Sequence, residues 1–599
     1  MDCATFIDAF SIQVIRYRMQ HLQLDLDRLE NNFYIKKKPH SSMTRDRSEG
    51  ELFARIWQEA WNSHQRVKDM CSFMMGSPGG NATDKRGRME KVSGKMTGGQ
   101  PPKRGGEISK KRAIGLILGP VLFFIILFLF QTEGLSPEAR GVLAGTVWIA
   151  TWWITEALPI PVTALLPIIL FPMVTSLEVG EVTPNYGDDI VFLFLGGFVI
   201  ALALERWNLH KRIALTIISL IGTSTNRIVL GFMIATGFLS MWISNTATAM
   251  MMVPIGTAII FQVGRSLHEE NIENAEVQEN QFAKGLMIAI AMSASIGGLG
   301  TIIGTPPNTI LAGSLNEIFD IDLSFAGWMT FGVPLAVILL SFAWIYLVKI
   351  AFPMKMKHIP GGKELIHEQR TGLGKMSPEE KMVLTIFTLT ALAWITRSFL
   401  LEDIIPGIDD TMIAIIAAVV LFVLPSKTYK GDKLMTWHAA KDVPWGILIL
   451  FGGGLAIAGA FQDSGLDVWI GEQLTILQGI EFVFILLGVT LLVVFLTEIT
   501  SNTASATMLM PIMASLAVAM DVHPFALMVP AAVAASCAFM LPVATPPNAV
   551  VFGSGYLRMG DMVKAGLWMN LIAIIVTVVL VMFLLPAVWD IDLTVFPNG

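Results

Sequence analysis

The stretch Ser-Asn-Thr-Ala-Thr-Ala at residues 244–249 lies within apolar sequence and recurs as Ser-Asn-Thr-Ala-Ser-Ala at residues 501–506. Each copy is followed at the same distance by Pro-Ile. A second motif, Thr-Pro-Pro-Asn at residues 305–308, recurs at residues 545–548. The copies of the first motif are 257 residues apart and those of the second 240. Motifs repeated in the same order indicate an internal duplication.

A third match supports the duplication. The stretch Ile-Val-Phe-Leu-Phe-Leu-Gly-Gly-Phe at residues 190–198 is similar to Gly-Ile-Leu-Ile-Leu-Phe-Gly-Gly-Gly at residues 446–454. The polar stretch 264–284 accounts for the 17-residue change in offset if it is a loop inserted in the first copy only. The chain therefore contains a duplicated half of at least 100 residues. We expect four regions: a basic tail at 1–112, a first membrane half at 113–351, a polar linker at 352–382 and a second membrane half at 383–599.

Composition places both copies in a membrane. Apolar residues make up 53% of the 599 residues and charged residues only 15%, and mean hydropathy is +0.61. A soluble protein carries roughly 25% charged residues, so a set of soluble domains is excluded. The apolar run 113–130 is long enough for a first span. We predict an all-α polytopic membrane protein.

Charge predicts the orientation of the chain. Residues 1–112 hold 21 Lys and Arg against 13 Asp and Glu, which favours a cytoplasmic N-terminus. The basic linker 352–382 is placed on the same side by the same tendency. The C-terminal segment 589–592 is acidic, which fits the opposite side and an odd number of spans. The three cysteines lie far apart and predict neither a metal site nor a disulfide framework.

The repeated motifs have the chemistry of a binding site. Hydroxyl and amide groups within apolar sequence must face the protein interior or a wet cavity. A helix cannot continue through Thr-Pro-Pro-Asn, because neither proline has an N–H and both rings clash with the preceding turn. The carbonyls of Gly304 and Ala544, just upstream, are thereby free to bind a hard cation.

Charged side chains are almost absent around these motifs. Residues 240–256, 291–312, 497–512 and 536–553 contain no Lys, Arg or His, and Glu498 is their only acid. Neutral ligands fit the joint binding of both charges, in which cations neutralise an anion that also faces helix N-termini, each carrying about half a positive charge. Co-transport of an anion with a cation is the simplest interpretation.

Several alternatives remain at this level. An isolated Ser-Asn-Thr in a membrane helix commonly serves only to hydrogen-bond neighbouring helices, although its pairing with a proline break in both copies favours a site. The repeated glycines at 196–197 and 452–454 fit close helix packing and backbone coordination equally well. A membrane sensor or scaffold that uses the basic tail is a different class of function. An intramembrane enzyme is disfavoured, because no nucleophile–base pair or metal-binding set occurs in the apolar part.

From about residue 110 to 595, the chain resembles the divalent anion/sodium symporter family, the INDY-like sodium–dicarboxylate transporters, and the paired Ser-Asn-Thr and Thr-Pro-Pro-Asn motifs carry this resemblance. The resemblance implies an inverted repeat with about 11 transmembrane helices and two re-entrant hairpins. It also implies a homodimer in which an elevator-type transport domain moves against a scaffold. Both triplets end in Thr, as in the dicarboxylate-preferring bacterial members.

The resemblance also implies two sodium sites and one anion site. Ser240 and Thr497 precede the triplet serines by four residues, which predicts that each shares the helical face of its serine. The first sodium site would use Ser240, Ser244, Asn245 and the carbonyl of Gly304, and the second would use Thr497, the carbonyl of Thr500, Asn502 and the carbonyl of Ala544. The anion would be held by Ser244, Asn245, Thr246, Thr305, Ser501, Asn502, Thr503 and Thr545.

We therefore expect a transporter, and not an enzyme, in the plasma (bacterial inner) membrane. It would couple sodium (Na+) entry to import of a C4-dicarboxylate such as succinate, malate or fumarate. Its partners would be these solutes, the lipid bilayer and a second copy of the chain, with no nucleic acid. Symport of sulfate or another divalent anion and sodium-independent anion exchange are the alternatives on the same fold.

Overall fold

A computed structural model of the protein describes residues 110–222, 224–269, 274–353, 362–477 and 479–597. In these ranges one helix follows another along the chain. The first helix begins at Lys110, so its first three residues belong to the predicted tail, whose other residues lie outside the described ranges. The helices of the first half are α1 Lys110–Leu129, α2 Pro137–Thr155, α3 Ile160–Thr163, α4 Pro167–Val174, α5 Val179–Val182, α6 Asp189–Arg206, α7 Leu209–Ile221, α8 Thr225–Ser240, α9 Asn245–Glu269, α10 Ala275–Gly298, α11 Pro306–Phe319 and α12 Phe325–Tyr346.

The rest of the chain is also helical. The linker region contains α13, and the second half follows. These helices are α13 Gly362–Gly372, α14 Pro378–Thr396, α15 Leu401–Ile404, α16 Asp410–Val423, α17 Trp437–Ala440, α18 Trp445–Ser464, α19 Leu466–Leu474, α20 Phe482–Ile499, α21 Asn502–Ala519, α22 Phe525–Ala535, α23 Pro546–Gly553 and α24 Met559–Trp589. In the described ranges, the only β-type pairing is an isolated bridge between Pro425 and Lys433.

The described part of the chain has the helices of a multi-pass membrane protein. Nine helical segments in it are long and apolar enough to cross a bilayer, and shorter apolar helices occur at Ile160–Val174, Asp410–Val423 and Phe525–Ala535. The prediction of an all-α membrane protein is confirmed at this level. The count of about 11 transmembrane helices and the two re-entrant hairpins remain predictions.

The two copies have the same order of helices but different lengths. Helices α8 to α11 correspond to α20 to α23, with one triplet between the first two helices and one proline motif before the last. The loop predicted at 264–284 is wrong, because α9 and α10 extend into this stretch. They have 25 and 24 residues, whereas α21 and α22 have 18 and 11. The extra residues of the first copy lengthen its helices.

The linker region is partly helical and is fixed to the first half. Within the range 352–382, α13 spans residues 362–372 and α14 begins at Pro378. Arg212 on α7 pairs with Glu380 on α14, with an N–O distance of 3.1 Å, and donates to the carbonyls of Leu373 and Gly374. An arginine with several fixed acceptors holds two segments in one geometry.

The repeated glycines allow helices to approach closely. A β-carbon on Gly196 would lie 2.6 Å from that of Ala414, and one on Gly453 would lie 2.4 Å from the carbonyl oxygen of Ala164. Neither distance leaves room for a side chain, so these positions favour the packing interpretation over backbone coordination.

Candidate functional site

The first triplet lies where one helix ends and the next begins. Helix α8 ends at Ser240 and α9 begins at Asn245. The prediction that Ser240 and Ser244 share a helical face is therefore wrong, because residues 241–244 interrupt the helix. The interruption itself brings the predicted residues together: Ser240 Oγ lies 2.5 Å from the amide of Asn245 and donates to the carbonyl of Ala294 at 2.6 Å.

The second copy repeats this arrangement. Thr497 lies in α20, and Ser501 comes after that helix ends, so these two also do not share a helix. Thr497 Oγ1 lies within hydrogen-bond distance of Asn502 Oδ1, at 2.8 Å, and of the carbonyl of Ala535, at 2.9 Å. A hydroxyl, an amide and a backbone carbonyl therefore meet in both copies. The carbonyls of Ala294 and Ala535 were not among the predicted ligands.

Oxygen atoms crowd one terminal atom of the Asn245 amide. Ser240 Oγ, Ala294 O and Gly304 O lie 2.5, 3.0 and 3.2 Å from it. An amide nitrogen has only two protons for these three neighbours. An amide oxygen in that place would complete a set of four neutral oxygens, which a cation between them would stabilise. Hard oxygen ligands of this kind suit sodium.

Two glycines make this crowding possible. A β-carbon on Gly298 would lie 2.8 Å from Asn245 Oδ1 and 2.9 Å from the carbonyl oxygen of Gly304. One on Gly304 would lie 2.4 Å from the carbonyl oxygen of Gly298. Larger side chains at either position would fill the space that the oxygen set surrounds.

All four repeated motifs stand at helix N-termini. Asn245 begins α9 and Asn502 begins α21, while Pro306 begins α11 and Pro546 begins α23. Proline is well suited to the first helical position, where no N–H is needed. The free N–H groups and the dipole of a helix N-terminus favour an anion. The sequence prediction of helix N-termini at the motifs agrees with this geometry.

The accessible side chains of the site come from both triplets. Ser244 and Thr246 are half-exposed, as are Ser501 and Thr503, whereas their neighbours Trp242 and Ala504 are buried. Ser244 Oγ accepts a hydrogen bond from the backbone N–H of Ala247 at 3.2 Å. The hydroxyls and amides of the triplets are thus open to a solute.

The two copies are in direct contact at the proline motifs. Thr305 Oγ1 lies 3.4 Å from Ser536 Oγ of the second copy, and both side chains are buried. Helices α9 and α10 pack against α23, and α11 packs against α21 and α22. Thr545 is also buried, and its Oγ1 accepts from the backbone N–H of Asn548 at 3.4 Å. Thr305 and Thr545 therefore contribute to the structure of the breaks.

The asparagine of each proline motif holds the broken segment in place. Asn308 Nδ2 donates to the carbonyls of Gly298 at 3.1 Å and Thr301 at 2.8 Å. Asn548 Nδ2 donates to those of Ala538 at 3.1 Å and Leu541 at 3.0 Å. Residue type alone did not predict this role for Asn308 and Asn548, although their identical place in both copies was a signal.

The two copies differ in the hydrogen bonds that hold the segment just before the proline motif. In the first, Thr301 Oγ1 donates to the carbonyl of Met241. In the second, Glu498 accepts hydrogen bonds from the backbone N–H groups of Met540 and Leu541, at 2.8 and 3.0 Å, and from Asn570 Nδ2 at 2.8 Å. Buried backbone groups require such partners. Glu498 therefore has a structural role that spacing alone did not assign.

The remaining predicted ligands have only partial support from contacts. The hydroxyl of Thr500 bonds to the Leu496 carbonyl and to Ser505 Oγ, at 2.8 and 2.5 Å, whereas the prediction concerned its carbonyl. Ala544 is buried, and its N–H donates to the carbonyl of Leu541 at 3.2 Å. Within the described ranges, no three His, Cys, Asp or Glu side chains cluster as a metal-binding group. The hydroxyl, amide and carbonyl oxygens that meet at each triplet are neutral.

Comparison with known proteins identifies the family. The family model described as "Sodium:sulfate symporter transmembrane region" matches residues 110–589. The chain belongs to this family. The match spans both copies of the Ser-Asn-Thr motif and both copies of the Thr-Pro-Pro-Asn motif in this sodium:sulfate symporter family member.

Two relatives in Staphylococcus bear the name "Sodium-dependent dicarboxylate transporter SdcS". The protein of Staphylococcus saprophyticus is 53% identical over 484 residues, which are 80% of this chain and 93% of its own. That of Staphylococcus aureus is 51% identical over 488 residues, 81% of this chain and 93% of its own. Among solved structures, Neisseria gonorrhoeae MtrF aligns with 83% of this family member and 98% of its own chain, at 13% identity and a TM-score of 0.49.

Proposed function

We propose that this protein couples sodium entry to the import of a C4-dicarboxylate, such as succinate, malate or fumarate, across the plasma membrane. The observation that carries the proposal is the crowding of three oxygens, from Ser240, Ala294 and Gly304, around one terminal atom of the Asn245 amide. The contacts of Ser240 with Asn245 and Ala294 have a counterpart in those of Thr497 with Asn502 and Ala535. Relatives more than half identical, named as sodium-dependent dicarboxylate transporters, support the choice of ion and solute.

Each sodium ion would be held by the neutral oxygens of one copy. The first would bind Ser240, Ser244, Asn245 and Gly304, and the second would bind Thr497, Asn502 and the carbonyls of Thr500 and Ala544. The carbonyls of Ala294 and Ala535 join the candidates, because they lie beside Ser240 and Thr497. Neutral ligands leave each ion's charge free to attract the dianion.

The dicarboxylate would lie between the two triplets. One carboxylate would meet Ser244, Asn245 and Thr246, and the other would meet Ser501, Asn502 and Thr503. Helices α9 and α21 begin at these triplets and direct their N–H groups toward the anion. Thr305 and Thr545 would act from the proline breaks. Because the ions neutralise the anion, the dicarboxylate binds poorly without sodium.

Alternating access would follow from the duplication. A site formed where two repeats meet can open to either side when one body moves relative to another. We propose an inverted repeat of about 11 spans with two re-entrant hairpins, an elevator-type transport domain and a homodimeric scaffold. The N-terminus would be cytoplasmic and the C-terminus on the opposite side, as the basic and acidic segments indicate.

Uptake into proteoliposomes tests the proposed function. We expect labelled succinate to accumulate under an inward sodium gradient and not under an equal potassium gradient. Unlabelled malate or fumarate should compete, and sulfate should compete weakly. Dominant competition by sulfate would favour an inorganic-anion symporter, as the family's description suggests. Succinate exchange without sodium would favour an anion exchanger.

Sodium alone should stabilise the protein, because its oxygen ligands are present before the anion arrives. A ligand at about 100-fold excess over its Kd stabilises a protein by roughly 2.7 kcal/mol. We expect sodium to raise the melting temperature, and succinate to raise it further only with sodium present. A thermal-shift series in sodium, potassium and choline chlorides measures this. Equal stabilisation by all three salts would contradict a specific sodium site.

Replacing Gly298 with Ala should abolish sodium stabilisation while leaving the protein folded. The added methyl group would lie 2.8 Å from Asn245 Oδ1, within the space of the first oxygen set, whereas alanine itself favours a helix. Gly488→Ala is the matched control, because Gly488 lies in α20 with nothing within 4 Å of its β-carbon position. We expect the control to respond to sodium as the parent does. An unchanged sodium response in Gly298→Ala would place the ion elsewhere.

A further inference from the structure

A groove of about 590 Å³ opens among α10, α24 and the end of α12, away from the repeated motifs. Its polar lining includes Gln281, Lys284 and Lys564, and its apolar lining includes Ile350, Trp568 and Ile572. None of these residues takes part in the proposed transport site.

One face of α24 passes from basic to aromatic to aliphatic along the groove. Lys564, Trp568 and Ile572 are four residues apart, so they follow one another on the same helical face at intervals of about 6 Å. Trp568 is 55% exposed, although it lies within a candidate membrane span. This order is that of a phospholipid, with a charged headgroup, an interfacial region where tryptophan is favoured, and an acyl chain.

The headgroup end of the groove carries positive charge. Lys284 is paired with Asp561 at 3.0 Å, and both side chains are largely buried. Lys564 is exposed and forms no ion pair with any residue that the structure describes. The pair cancels its own charge, so the ammonium group of Lys564 is left to attract an anion at the mouth of the groove.

The groove lies at the same end of the molecule as the basic linker region. Helix α12 and the π-helical turn Leu347–Ala351 that continues it lead into this region, and α14 leaves from it. Helices α12 and α24 pack together in opposite directions, because Trp589 at the end of α24 donates to the carbonyl of Gly327 near the start of α12. The first turns of α24 therefore also lie at the end of the molecule where the linker region is. Basic pockets between membrane helices on the cytoplasmic side are sites for anionic headgroups.

We propose that this groove binds an anionic phospholipid, with the headgroup phosphate at Lys564 and one acyl chain along Trp568, Ile572 and Ile350. The lipid would bridge two helices that reach the transport site. Helix α10 carries Lys284 and, further along, Ala294; α24 carries Lys564 and, further along, Asn570. A bound lipid therefore stabilises the packing that holds the first oxygen set and the second break together.

Lipid binding to the purified full-length protein tests this proposal. We expect phosphatidylglycerol to raise the melting temperature in detergent more than phosphatidylcholine does, and native mass spectrometry to find it retained preferentially. One basic residue at a membrane surface contributes about fivefold in affinity, so Lys564→Ala should weaken phosphatidylglycerol binding about fivefold and Lys564→Glu roughly 25-fold. Trp568→Ala should weaken both lipids.

Lys381→Glu is the matched control, because Lys381 is an exposed lysine in the first turn of α14 at the same end of the molecule. We expect it to retain phosphatidylglycerol as the parent does. Equal retention of the two lipids by the parent, or an unchanged lipid preference in Lys564→Glu, would overturn the proposal. Stabilisation by inorganic phosphate equal to that by phosphatidylglycerol would overturn it too, since a phosphate site needs no acyl chain.

Discussion

Replacing Asn245 or Asn502 with Ala lowers the apparent affinity for sodium and for succinate together, by about 10- to 150-fold each. Each amide is in contact with the hydroxyl of its predicted sodium site, at 2.5 Å from Ser240 and 2.8 Å from Thr497. Each also begins a helix whose N-terminus would face the anion. Loss of a hydrogen bond to a charged group costs roughly 1.5–3 kcal/mol. Linkage between the two ligands spreads that loss to both.

The measurement is uptake against sodium and against succinate concentration, normalised to folded protein. Thr248→Val is the matched control on α9, because Thr248 is buried and its hydroxyl has no hydrogen-bond partner in the described structure. Ser505→Ala is less suitable, because Ser505 bonds to Thr500 at 2.5 Å. We expect Thr248→Val to transport nearly as the parent does. Parental affinities in Asn245→Ala and Asn502→Ala would reduce the triplets to packing contacts.

Asn245→Asp distinguishes the two orientations of the amide. If an oxygen faces the Ala294 and Gly304 carbonyls, a carboxylate there keeps the sodium ligand and adds a charge. Sodium affinity then holds or rises, while succinate affinity falls through repulsion. If the nitrogen faces them, the carboxylate meets only acceptors, and both affinity and stability fall. Sodium titration of the melting temperature separates these outcomes.

The sequence predicted the features that depend on local chemistry and repetition. Composition is sufficient to predict a helical membrane protein. The duplicated motifs predict where helices are interrupted, because two consecutive prolines end any helix that reaches them. The carbonyl oxygen of Gly304 lies 3.2 Å from the Asn245 amide, and the binding of a cation by these two residues stays a prediction. These inferences need only the order of residues along the chain.

Features that depend on packing between distant segments were not predictable. Ala294 and Ala535 contribute backbone carbonyls. Every residue has such a carbonyl, so residue type does not predict which ones take part. Ser240 and Ser244 do not share a helical face, because the chain leaves the helix at residues 241–244, where no proline marks the break. The polar stretch 264–284 is helical at both ends although its charged residues are typical of a loop, because buried apolar residues such as Leu267 and Phe282 recur among the charged ones.

The hydrogen bond between Glu498 and Asn570 was not predictable either, because the two residues are 72 positions apart in sequence. Replacing Glu498 with Met, the residue at the equivalent place in the first copy, should strongly destabilise the protein. The change leaves the partly buried N–H groups of Met540 and Leu541 and the buried amide of Asn570 without their acceptor. Each unsatisfied buried donor costs about 1–3 kcal/mol, against a total stability of roughly 5–15 kcal/mol for a typical protein.

The first copy tolerates Met241 because its break is satisfied differently. There the N–H group of Gly300, which corresponds to Met540, donates to the carbonyl of Gly297 at 2.9 Å and not to a carboxylate. Thr301→Val is therefore the matched control: it removes the hydroxyl bond to the Met241 carbonyl and should cost only about 1 kcal/mol. We expect Glu498→Met to melt at a far lower temperature than Thr301→Val and to lose sodium stabilisation, since Ala544 follows directly on the segment that Glu498 holds. A melting temperature and sodium response like those of Thr301→Val would mean that the second break needs no carboxylate, and that Glu498 serves another purpose.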